Sequence, residues 1–256
     1  MVQNARKNIE MDIQNSTIRS VNRFMEIWDG IVKAFQLIIS GDPRVLEITL
    51  RSLFVSSIAM LFAILWGIPI ALYLGTKNFR GKFFVKGFFN TMIGIPTVGL
   101  GLILFLIFSK AGPLGILRLL YTPAVIIIGE AILIMPIIVS FGTTAIESVD
   151  PEIMNLAKTL GASDDQASFA VLKEALNGII TAGIASFNRA IAELGIALMV
   201  GGNIVGWTEV LTTTISNETA KGNLELSIAL GIILLTLVFG ITLATLAISS
   251  LRRRRK

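Results

Sequence analysis

The 256-residue chain is 54% hydrophobic and 15% charged, with a mean hydropathy of +0.78, a balance that excludes an ordinary soluble domain. It contains 0 Cys and 0 His, which removes disulfides, thiolate nucleophiles, imidazole acid–base chemistry and histidine-ligated metals. The net charge of +5 has a meaning only through where the charges lie.

A bilayer core of about 30 Å takes about 20 residues of helix per crossing, so the chain has room for several crossings and little extramembrane mass. Residues 1–24 form a polar N-terminal extension carrying Arg6, Lys7, Arg19 and Arg23, set apart from the core. Across 25–45, Trp28, Ile31, Val32, Phe35, Ile38 and Ile39 recur at helical spacing. That spacing predicts an amphipathic helix on the membrane surface, ended by Gly41-Asp42-Pro43. The membrane domain occupies 46–251. An ionised side chain at mid-bilayer costs roughly 2.5–3.5 kcal/mol on insertion scales, so charge-free runs mark the spans. Three runs are clean, from Ser52, Gly87 and Leu226 onward; two others are interrupted only by Glu130, or by Arg189 and Glu193. An all-α integral membrane protein follows, with five helices near 52–75, 88–109, 121–144, 176–201 and 226–250. Pro69, Pro96, Pro123 and Pro136 lie in or near them, as tolerated kinks or as places where gates bend.

Lys77, Arg80, Lys82 and Lys86 in the first connection and the basic tail 252–256 predict that both face the cytoplasm. The tail reads as an anchor on anionic lipid, with no nucleic-acid role. The loop holding Lys110 and Arg118, and the stretch from Gly202 to Glu225, then fall outside.

The connection 144–174 is acidic and helical in pattern. Asp150-Pro151 opens a helix with an apolar stripe of Ile153, Leu156, Ala157 and Leu160. Gly161 ends it, and Ser163 or Asp164 caps a second helix with Phe169, Val171 and Leu172 on one side. The stripes suit packing against the inner helix ends and docking of a partner about equally. Within the membrane, Arg189 and Glu193 are four apart and share a helix face, as a structural ion pair or as the lining of a polar route. Glu130 stands alone, either neutral and hydrogen-bonded or close to the outer mouth.

The segment Asn155 to Ser163, followed by Phe169-Ala170-Val171, resembles the EAA loop of ABC-importer permeases, with Asn155 and Leu156 where that family has Glu and Ala. Ser186 to Gly195, Met199 to Ile204 and Val210 to Gly222 are similar to tungstate-importer permeases, and more loosely to molybdate and sulfate permeases. The resemblance implies a type I importer core with a cytoplasmic coupling helix, in which Ala157, Leu160, Gly161, Ala162, Ser163 and Phe169 contact an ATPase. It also implies a translocation path or gate using Arg189, Glu193, Gly201, Gly202, Asn203 and Thr213, the segment after Gly202 folding back as a short gate helix. Expected partners are a second copy of the chain, two ATP-binding subunits that use ATP and Mg, an external substrate-binding protein and membrane lipid, in a cell (plasma or inner) membrane.

The chain itself has no Gly-x4-Gly-Lys-Ser/Thr loop and is read as non-catalytic, binding no cofactor or metal. A stand-alone secondary anion transporter is the competing class; it would need inverted repeats, and none is apparent. An intramembrane enzyme ranks last, because no Asp or Lys lies within the predicted spans.

Overall fold

The computed structural model describes residues 25 and 27–253. The polar extension 1–24 and tail residues 254–256 lie outside the described residues. All regular elements among the described residues are helical. Helix α1, residues 27–40, ends at Gly41 in the left-handed region (φ +64°), and Asp42 then caps α2 (Pro43–Thr76) by accepting the Arg44 and Val45 N–H groups at 3.0 and 3.1 Å. The first long helix therefore starts nine residues before the expected 52, at 43. Arg44 and Arg51 set the sequence-based limit, and both meet carboxylates: Arg44 pairs with Glu218 of a distant segment, and Arg51 with Glu47 one turn away on its own helix and, at 3.8 Å, with distant Glu209. Helix α1 packs on α10 (Leu224–Arg253), where Lys33 pairs with Glu225 at 2.5 Å and a Cβ on Gly30 would lie 2.6 Å from Ile228.

Two expected spans are broken. The region 88–109 consists of α3 (Lys82–Met92) and α4 (Thr97–Phe108), bent by 96° at Gly94-Ile95-Pro96. Twelve residues of α4 extend about 18 Å, short of a bilayer core. Of the four prolines, only Pro96 accompanies such a bend: Pro69 and Pro136 lie inside continuous helices, and Pro123 starts α5 (Pro123–Glu147). The expected 176–201 helix stops at Ile191: α8 (Leu176–Ile191) gives way to a turn at 192–195 and a short π-helical segment, Ala197–Gly201. Hydropathy sees neither break, because it measures apolarity and not backbone direction. Among the described residues, three helices are long and apolar enough to cross a membrane; counting α3 with α4, and Asp164–Glu174 with α8 (bent by 67°), as single spans raises the number to at most five.

The framework is the α2–α5 pair. On α2, Ala59, Ala63, Gly67, Ala71 and Gly75 follow one another every fourth residue, and the first four are buried. This small-residue ridge lets α5 approach closely. A Cβ on Gly67 would lie 2.9 Å from Ile138, one on Gly142 would lie 3.1 Å from Ala71, and one on Gly75 would collide with Ile146. The main core joins these helices to α4 and the 190–200 region through Leu104, Ile126, Ile134, Ile196 and Val200.

Candidate translocation path and coupling elbow

The two helix breaks meet. A Cβ on Gly195 would stand 2.8 Å from Thr97 Oγ1 and 3.0 Å from Val98 N, so only glycine lets the 192–195 turn press against the start of α4. Glu193, almost fully buried, organises that turn. One carboxylate oxygen accepts from Arg189 at 2.8 Å and the other from the Ile196 N–H at 3.1 Å, while its own carbonyl accepts from the Thr212 hydroxyl at 2.7 Å. The Arg189 side chain is 39% exposed against 1% for Glu193, so the pair sends its carboxylate inward and its guanidinium toward an open side. Glu130 is buried beside Ser56 and within the field of Glu193, and its Oε2 has no hydrogen-bond partner.

Past the π-helical segment, Gly202 and Asn203 both take left-handed conformations (φ +70° and +48°), reversing the chain. The Asn203 Oδ1 is buried and unpartnered. A Cβ on Gly201 would lie 2.7 Å from Ile126, and one on Gly202 would lie 2.8 Å from the Tyr121 ring. The returning segment contains α9 (Leu211–Ala220), a short helix of the kind expected. Thr213, expected on the path or gate, is fully buried and its hydroxyl is engaged with the Val210 N–H and carbonyl, so it caps α9.

The structure adds residues that no motif marks. Ser52 Oγ accepts the Leu211 N–H at 2.7 Å; Arg51 donates to the Glu209 carbonyl at 3.1 Å and lies 3.8 Å from its carboxylate; Arg44 lies 3.4 Å from Glu218 and 3.9 Å from Glu209. Lys221 and Asn223 also donate to Glu218, each at 2.9 Å. The Lys221 hydrogen bond, with help from Asn223 and Arg44, holds the Glu218 carboxyl below its ordinary range against the opposing effect of burial. The start of α2 is thus latched to α9 by charges more than 150 residues apart in sequence.

At the opposite end of α2 sits the elbow, α6 (Pro151–Thr159) and α7 (Asp164–Glu174). Asp150 caps α6 through the Glu152 N–H, and Ser163 caps α7 in a reciprocal pair with Gln166. Gly161 joins them at φ +90° with open space around it. The acidic residues of this end meet the basic first connection: Glu147 pairs with Lys82 and Lys86 at 3.1 and 2.6 Å, and Asp164 with Lys77 and Lys158 at 3.1 and 2.8 Å.

The expected apolar stripe divides between two faces. Ile153 and Met154 pack with Ala71, Ile146, Val171 and Ala175, and Ala157 is half-buried. Leu156, Leu160 and Phe169 point outward at 60%, 80% and 53% exposure. Phe169 and Val171 do not share a side, since two residues turn a helix by about 200°; Lys173 lies over the Phe169 ring at 5.1 Å. Ala162 is half-buried and Ser163 exposed. The six elbow residues therefore stand together, far along α2 from the Arg189–Glu193 turn and its neighbours at 201–203. Among the described residues, no group of three or more carboxylates is placed to hold a metal ion.

Helices long and apolar enough to cross a membrane, two expected spans broken, and a capped two-helix knob at one end define a membrane-spanning helical subunit. Residues 67–255 match the family model described as binding-protein-dependent transport system inner membrane component, and the chain belongs to that family. It is a non-catalytic transport subunit. It is 42% identical, over 76% of this chain and 86% of the relative, to a probable anion ABC transporter permease protein of Haloferax volcanii. It is 36% identical to a tungstate uptake system permease protein of Peptoclostridium acidaminophilum, over 84% of this chain and 94% of that one. A second such protein, from Campylobacter jejuni, is 34% identical over 86% and 92%. Among solved structures, the MetNI methionine ABC transporter in inward-facing form has a TM-score of 0.66 at 17% identity, covering 81% of this chain and 95% of that chain, a likeness of fold.

Proposed function

We propose that this chain is the membrane-spanning subunit of an ATP-driven oxyanion importer, with tungstate as its cargo. The observation that carries the mechanism is the elbow. A knob capped at both helices, ion-paired to the end of α2 and packed on the core by Ile153 and Val171, presents Leu156, Leu160 and Phe169 to its surroundings. Apolar side chains held outward on a rigid support suit a cleft in a partner, and separate ATPase subunits using ATP and Mg are the partners that a chain without a phosphate-binding loop needs. The names of the relatives support the cargo.

In this reading the elbow, the Lys77–Lys86 connection and the C-terminus face the cytoplasm, and α9 faces outward beneath a soluble binding protein. Two copies of the chain enclose the path. Closure of the ATPases moves the elbow, and α2 and α8 carry the motion to the breaks at 94–96 and 192–195. Arg189 offers a cationic fork to a passing dianion. Glu193 keeps competing for that fork, so the anion is released and not trapped.

The test is to purify the assembled complex and measure ATP hydrolysis with tungstate, molybdate or sulfate bound to the soluble partner. Stimulation by tungstate at the lowest concentration supports the assignment. Preference for molybdate or sulfate moves the cargo within the oxyanions, and uptake by this chain alone in liposomes, without ATP, removes the ATP-driven mechanism.

A further inference from the structure

Every basic side chain that ties α1, α2 or α9 at the outer end has an acidic partner: Lys33, Arg44, Arg51 and Lys221. Lys110 and Arg118, in the connection between α4 and α5, have no carboxylate partner among the described residues, and both line one open recess of about 1410 Å³ with Phe105, Phe108, Ile116 and Tyr121.

The loop that carries them is a built object. It turns so tightly after α4 that a Cβ on Gly112 would collide with the Leu106 carbonyl, and one on Gly115 with that of Ser109. Arg118 and Tyr121 are both held in the left-handed region, at φ +51° and +62°. Such positions cost non-glycine residues about 1–3 kcal/mol each and persist where surrounding contacts impose them. At Tyr121 the contacts come from the segment 200–207 around the chain reversal. Tyr121 N–H donates to the Val200 carbonyl at 2.9 Å, Trp207 Nε1 donates to the Tyr121 carbonyl at 3.2 Å, and the Tyr121 ring abuts Gly202. The recess and the reversal therefore share a wall.

We propose that this recess is a receiving vestibule, in which Lys110 and Arg118 hold the hydrated, divalent tetrahedral oxyanion after it leaves the soluble binding protein and before it reaches Arg189. The inference rests on the oxyanion-import reading above. Two positive charges match the dianion. The recess is wide and half-apolar, so it retains the anion electrostatically without stripping its water, which suits a site that must also let go. Its task is to keep a released anion from escaping to bulk while the path opens.

The experiment reconstitutes the complete complex in liposomes with loaded binding protein and compares the wild type with Lys110→Gln/Arg118→Gln. The quantity read is oxyanion delivered per ATP hydrolysed. The vestibule predicts a fall of about threefold or more in that ratio, with ATP turnover and binding-protein affinity unchanged. Raising salt from about 0.05 to about 0.5 M lowers the wild-type ratio toward that of the variant. Arg118→Lys, which keeps the charge, retains the wild-type ratio. An unchanged ratio in the double variant overturns the proposal. So does a loss of binding-protein affinity at constant ratio, which makes the two cations a docking patch for an acidic protein surface. A wild-type complex that responds to no oxyanion sinks the importer reading, and the vestibule with it; a responsive complex whose double variant delivers as much per ATP sinks the vestibule alone.

Discussion

The two ends of α2 are both fastened by ion pairs, but on opposite terms. At the α9 end the acids are inside: the Glu209 and Glu218 side chains are 3% and 5% exposed, and apolar Leu211 is fully buried beside them. At the elbow the acids are outside, Asp164 at 61%, and three large apolar side chains are outside with them. A buried pair has lost its hydration and depends on its partner, whereas an exposed pair is a weak guide that water can replace. One end is therefore a closed structural latch, and the other is a surface left unfinished until something covers it.

The sharpest way to break that contrast is Glu209→Ala, which removes a buried carboxylate lying 3.8 Å from Arg51 and 3.9 Å from Arg44, while Arg51 keeps Glu47 and the residue-209 carbonyl; a loss of about 2–3 kcal/mol is expected, read as a drop in the melting temperature of the detergent-solubilised protein. Ser52→Ala comes next, because it orphans the buried Leu211 N–H, and about 1–3 kcal/mol should be lost in the same measurement. Acid titration gives a smaller effect. The Glu218 carboxyl is held below its ordinary 4.5, so its stabilising contribution is complete at neutral pH and drains away as pH falls from about 4.5 through the lower folded value. Glu218→Gln should flatten that acid limb of the melting curve while lowering stability near pH 7. Leu160→Glu at the elbow should change stability by less than about 0.5 kcal/mol, yet abolish copurification of an ATPase subunit. Smallest of all, Asp164→Asn should leave the melting temperature within error of wild type, since its two lysines remain solvated. An elbow variant that lowers the melting temperature, or a Glu209 variant that does not, would erase the difference between the ends.

How much of this was legible depends on the range of the interaction. The Asp150-Pro151 opening, the Ser163 cap and the Gly161 joint are local, and the elbow's helices follow from them. The faces were less so: Leu156 and Leu160 share helical spacing with Ile153, and only the position of the Ala71–Ile146–Val171 cluster decides which of them turn inward. The latch was invisible, because Arg44 and Glu218 are 174 residues apart and no local spacing links them. The same holds for the centre. Arg189 and Glu193 were readable as a pair at a spacing of four, but the turn they stabilise required Glu193 to accept from Ile196, four residues beyond the cap of α8 at Ala192. Apolar runs located the spans and were silent on the breaks in them.

Gly195 has a mechanical consequence of its own. With no side chain between the 192–195 turn and Thr97, the chain break after α8 and the start of α4 mesh like adjacent teeth, with no slack to absorb a small rotation. A single methyl group placed there would act as a wedge, driving the turn and α4 apart and letting one move while the other stays still.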